Sequence, residues 1–156
     1  MPLPVTYKIQ KNVMNMEEHS ELVGKSALEN NLELVIFLRY KHTAGDRCQV
    51  TFEAEIDVEI KEEYFEDRVL NNLNINNVRS LLGEKTSYCY SKTRNFVTED
   101  ERDKIFSDLK QQFLDNSFSY ISSHSFPAKL IKRNYVLAEK DEMIRLKREE
   151  YLNNTN

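Results

Sequence analysis

The chain has no tryptophan, three glycines, three prolines, two cysteines and three histidines in its 156 residues. The shortages of cysteine, histidine and glycine each remove a class of function. Cys48 and Cys89 stand far apart, each inside an alternating stretch, so no C-x-x-C zinc or redox pair exists and buried free thiols are expected rather than a disulfide. His19, His42 and His124 lack the spacing of a helical metal site such as H-E-x-x-H, so no metal and no cofactor is expected. His42, next to a turn, is expected to meet Asp46 across it as a structural contact. Ser123-His124-Ser125 has neither a glycine-flanked elbow nor an orienting acid, which argues against a serine nucleophile. Gly24-Lys25-Ser26 ends like a phosphate-binding loop, but the glycine required five residues earlier is His19.

No apolar run approaches the roughly 20 residues that cross a bilayer. The amino-terminal MPLPVTYKIQK lacks the charged-then-apolar layout of a secretory signal, so a cytoplasmic setting without membrane contact is expected. A net charge of -4 argues weakly against a dedicated nucleic-acid binder. The acidity is uneven, with ten acids against six bases in residues 1–60 but nine against ten in 101–156. Abundant Asn, Lys, Ile, Phe and Tyr beside scarce glycine suggest an AT-rich genome, such as that of a bacterium, phage or parasite.

What the chain does contain is period. From Cys48 to Ile60 every even position is apolar and every odd one polar, with Glu53, Glu55, Asp57 and Glu59 on the odd side. With the preceding ELVIFLRYK this reads as a long β-hairpin over about 32–60. The expected turn is Thr43-Ala44-Gly45, which pairs Tyr40 with Cys48, Leu38 with Val50 and Ile36 with Phe52. The first strand is apolar on both faces near its middle and is expected to be internal; the acidic strand is expected nearer an edge, where charge discourages pairing. The acids do not form an ion site by spacing alone, because same-face neighbours on a strand lie about 7 Å apart.

Alternation also marks a short strand at VTYKIQ and a strand near 85–97, with Tyr88, Tyr90 and Phe96 on one face. Residues 15–31 have a loose helical or irregular reading interrupted by Gly24 and are expected to be a mobile connection. Ile75, Val78, Leu81 and Leu82 mark a short helix stopped by Gly83. Thr98 followed by Glu101 is a capping box opening an amphipathic helix near 98–121, whose stripe is Ile105, Leu109, Phe113 and Tyr120, widened by Phe106 and Ile121. SSHSFP reads as a break, AKLIKRNYVL as extended, and 138–152 as a peripheral, highly charged C-terminal helix.

The expectation is therefore a single α+β domain over 1–156, an antiparallel sheet covered by one amphipathic helix. No motif identifies a family. The function expected is a non-enzymatic protein-interaction or assembly module: an adaptor, a chaperone-like protein or a phage or viral structural accessory. It would act on a protein partner or by self-association to an oligomer, through Val35, Phe37 and Arg39 on the sheet or through Met143, Ile144 and Tyr151 on the last helix. The alternative is a nucleic-acid-associated accessory protein in which Lys129, Lys132 and Arg133 follow the backbone and Tyr135 stacks on a base.

Overall fold

The computed structural model describes residues 7–10 and 18–155. Val5 and Thr6 of the expected first strand lie outside them. In chain order the elements are β1 (Tyr7–Gln10), β2 (Glu18–Ala27), β3 (Glu33–Ala44), β4 (Arg47–Glu59), α1 (Ile75–Leu82), β5 (Lys85–Thr98), α2 (Arg102–Ile121) and α3 (Phe126–Asn154). Short 3-10 turns occupy Glu62–Glu66 and Glu99–Glu101. The strands follow one another in the sheet as β1-β2-β3-β4-β5, so the expected α+β class holds. The chain divides into two compact units, one built from residues up to 56 with 88–123, the other from 57–87 with 124–156.

In the first unit the alternation of β4 becomes burial. Cys48, Val50, Phe52, Ala54 and Ile56 are buried on the even face, beside Leu34, Ile36 and Leu38 of β3. The helix α2 lays Phe106, Leu109 and Phe113 on that face, and the Phe52 ring centre lies 5.7 Å from that of Phe106 and 5.3 Å from that of Phe113. Tyr90 of β5 completes the cluster at 4.8 Å from Phe113. Side-chain pairs Gln49–Asn95 and Thr51–Thr93 step in opposite directions along β4 and β5, as antiparallel strands require. The far end of α2 is secured by buried Asn30 in the β2–β3 turn, whose amide donates to the Ile121 carbonyl at 2.8 Å and the Ser123 carbonyl at 2.9 Å. The Ile121 carbonyl is among those that a helix leaves without internal partners, and that of Ser123 lies just past the C-cap.

In the second unit Val58, Ile60, Leu70 and Val78 are buried with Phe126, Ala128, Leu130 and Ile131 from the start of α3. Asn74 caps α1 by accepting from the Asn76 and Asn77 amides, and Gly83 ends it at φ 82°, a left-handed conformation that favours glycine. The Arg79 guanidinium donates to the Ile60 carbonyl at 2.8 Å, and Asn134 of α3 donates to the Thr86 hydroxyl at 2.7 Å.

Several expectations are corrected. Residues 18–27 form a strand, not a connection: the register shifts between Leu22 and Gly24, so Val23 is an extra residue that interrupts the two-residue period. The hairpin turn is two residues, Gly45 and Asp46, and Ala44 pairs with Arg47. A bulge between His42 and Ala44 then restores even-with-even pairing, so Tyr40 faces Val50, Leu38 faces Phe52 and Ile36 faces Ala54, two residues from the expected partners. The acidic strand β4 is internal, between β3 and β5. At Phe96 a positive φ of 58° turns the ring outward to 77% exposure and brings Val97 into the core instead. The capping box at Thr98 makes no side-chain hydrogen bond, because a 3-10 turn precedes α2, and Tyr120 is exposed. The segment 128–137 is helical: α3 starts at Phe126 with Pro127 in its first turn, where proline initiates a helix, so the helix expected over 138–152 is the distal half of a 29-residue one.

Candidate functional site

Three places bring chemistry-bearing side chains together: one on β3, one where several elements converge, and one on α3. The first is the odd face of β3. Val35, Phe37 and Arg39 stand in file there, half-buried, opposite Lys25, Leu22 and Ser20 of β2 and Glu55, Glu53 and Thr51 of β4. Arg39 is already committed. Its Nε lies 2.7 Å from Glu53 Oε2 and its Nη2 donates to Glu53 Oε1 at 3.2 Å, a two-pronged contact that carboxylate and guanidinium geometry favours. The acids of β4 are answered likewise in the second unit, where Asp57 accepts from Ser87 at 2.6 Å and from Lys85 at 3.2 Å. The Ser87 hydrogen bond holds the Asp57 carboxyl below its ordinary pKa, with Lys85 adding to the effect against partial burial.

The second place is a polar cleft of about 310 Å³ in the first unit, lined by His19, Tyr40, His42, Cys48, Glu99 and Arg102. Pairing of β2 with β3 sets His19 beside Tyr40, and their rings stack 4.6 Å apart. The Arg102 guanidinium sits 4.3 Å from the Tyr40 ring centre, within cation–π range. His42 does not turn to Asp46; its Nδ1 lies 3.6 Å from Glu99 Oε1, beyond hydrogen-bond length. The cleft thus holds a histidine and a carboxylate, but the one sulfur nucleophile is suppressed. Burial pushes the Cys48 thiol up, and the Glu99 charge does the same against the opposing pull of Arg102. Among the described residues no group of His, Cys, Asp and Glu could hold a metal ion. His124 is exposed, well apart from both cleft histidines in sequence and outside the lining. Sequence alone could not find this cleft, since its residues come from β2, β3, β4, the turn before α2 and the first residue of α2, and no local pattern links them.

The third place is the distal half of α3. Every buried residue of this helix falls in Phe126–Ile131, and from residue 139 onward all but Glu142 are exposed. Met143, Ile144 and Tyr151 are 58%, 50% and 70% exposed. At roughly 100° per residue they share one arc of the helix with Val136 and Leu137. Lys129, Lys132 and Arg133 are exposed on that same arc, and so are Lys140, Lys147 and Arg148. Tyr135 is half-buried and turned away from Arg133, so the expected track of three cations with a stacking tyrosine does not form on the helix. The structure instead joins the two sets that the sequence kept separate: the cations of 129–133 and the apolar points of 143–151 lie on one face, turned away from the half-buried Asn134, Ala138 and Glu142. Reading 128–137 as extended hid this, because a two-residue period scatters residues that a helix aligns.

Among the described residues no helix is long and apolar enough to cross a membrane. Neither cysteine is in a disulfide; Cys48 is buried as expected, whereas Cys89 is exposed. No family model, no curated protein and no solved structure matches the chain.

Proposed function

We propose that the protein is a non-enzymatic interaction or assembly module that takes hold of another protein chain with the outward face of α3, in a cytoplasmic setting. The observation that carries this reading is the exposed file of Leu137, Met143, Ile144 and Tyr151 on a helix whose own buried residues end at Ile131. Contiguous apolar surface of this kind costs solvation in the free protein, and in water a helix segment with no tertiary support is only marginally stable. Burial against a partner removes both costs. An amphipathic helix read along its i, i+3, i+4 and i+7 positions is a recurrent recognition element. The odd face of β3 is the weaker candidate, since Val35 and Phe37 are half-buried and Arg39 is held by Glu53.

A photo-reactive amino acid at Ile144, in the full chain made in its own cell, is expected to capture one discrete protein or a second copy. The same probe at Glu149, on the opposite side of α3, is expected to capture none. Equal capture at both positions, or none at either, overturns the reading.

A further inference from the structure

The distal half of α3 separates its charges by side. Arg145 is ringed by acids: its Nη2 lies 2.7 Å from Glu142 Oε1, its Nε donates to Glu142 Oε2 at 3.0 Å, and its Nη1 pairs with Glu149. On that side the one cation is shared by two carboxylates, and the Arg145 hydrogen bond holds the Glu142 carboxyl below its usual range. The outward arc is different. Lys129, Lys132, Arg133, Lys140, Lys147 and Arg148 fall within roughly 160° of one another around the helix. Among the described residues none of them forms an ion pair. Glu150 is the one acid of the segment inside that arc, at its margin, while Glu139 and Asp141 lie just beyond its edges.

From this arrangement, and resting on the reading of α3 as a docking face, we infer that the occupant is a protein segment that is itself acidic and amphipathic. Its carboxylates meet Lys140 and Lys147, and its apolar side chains cover Leu137, Met143 and Ile144. Unpaired cations beside apolar groups are complementary to that chemistry on both counts. A lipid surface fits less well, because Lys140 and Lys147 run along the middle of the arc, where a membrane-lying helix needs its apolar stripe. A nucleic acid fits less well because the same arc would press Leu137, Met143 and Ile144 against charged phosphates. A second copy docking by its own α3 fits less well, because Arg145 already holds Glu142 and Glu149 and two outward arcs would set cation against cation.

The test titrates the full chain with a labelled synthetic helical peptide carrying glutamates beside leucines, and in parallel with polyglutamate, single-stranded DNA and phosphatidylserine vesicles. The peptide is expected to bind more tightly than any of the other three. Raising salt from about 50 mM to about 200 mM, which shortens the screening length, and the double substitution K140E/K147E are each expected to weaken it roughly ten-fold. Ile144→Ser is expected to weaken the peptide but not polyglutamate. Circular dichroism and melting of K140E/K147E serve as the folding control, both positions being exposed. Tighter binding of DNA or vesicles, concentration-dependent self-association that displaces the peptide, or peptide binding indifferent to K140E/K147E overturns the inference. Capture at Ile144 that persists unchanged in K140E/K147E would leave the docking reading standing while removing the acidic partner; absence of capture at Ile144 in the otherwise unsubstituted chain removes both.

Discussion

β4 and the distal half of α3 are both one-sided elements rich in charge, and they resolve that charge in opposite ways. On β4 the buried even face is complete, and on its polar face Glu53 has Arg39 while Asp57 has Ser87 and Lys85. On α3 the inward acids share Arg145, while the outward cations stand among exposed apolar side chains without ion pairs among the described residues. A strand whose charges are answered inside the chain needs no partner to explain it. A helix face whose charge and apolar surface are both unanswered does.

That contrast is most sharply tested by removing one large apolar side chain from each kind of site. Phe113→Ala empties a fully enclosed position in the Phe52, Tyr90 and Phe106 cluster and is expected to cost about 3–5 kcal/mol, measured by denaturant unfolding. Ile144→Ala is expected to move the unfolding free energy of the isolated protein by no more than about 0.5 kcal/mol. If Ile144→Ala is as damaging as Phe113→Ala, the outward face of α3 belongs to the core and the contrast fails.

Asn30→Ala tests whether the end of α2 is as fully answered as β4. It deletes two donors to carbonyls at the helix terminus and is expected to cost about 2–3 kcal/mol, with faster amide exchange in the last turn of α2. The smallest effect is electrostatic. Asp57 titrates below its unfolded value when folded, so its contribution to stability is present above the ordinary aspartate pKa and is lost as pH falls through the folded value. Ser87→Ala removes the main cause, and NMR titration is expected to show the Asp57 carboxyl moving back up toward its ordinary value. An unmoved Asp57 would mean that its charge is not answered by Ser87.

The strands of the hairpin, the first part of β5 and α2 were legible because their apolar residues keep period, two in the strands and about 3.6 in the helix. The misses have local causes. Val23 in β2 and Phe96 in β5 each disturb the alternation at a backbone irregularity, and the residues beyond read on the wrong face or as loop. The two-residue turn at Gly45-Asp46 was hidden by the bulge after His42, which restores face parity that turn length alone would break. Pro127 closes the SSHSFP stretch, which in sequence suits a break, yet it stands in the first turn of α3. The candidate residues Met143, Ile144, Tyr151, Lys129, Lys132 and Arg133 were each visible in sequence; their common face was not, because it depends on one helix running unbroken through all of them.

That unbroken run makes α3 a matter of phase as well as of composition. It extends for 29 residues, about 43 Å at the rise of an α-helix, with its root buried at one end and its grip near the other. Deleting a single residue between Ile131 and Lys140 would keep every distal side chain yet swing the grip by about 100° around the axis. Deleting seven would shorten the reach but return the grip to within about 20° of its original heading. The helix therefore tolerates loss of length better than loss of angle, in the manner of a key whose shaft can be cut in whole turns only.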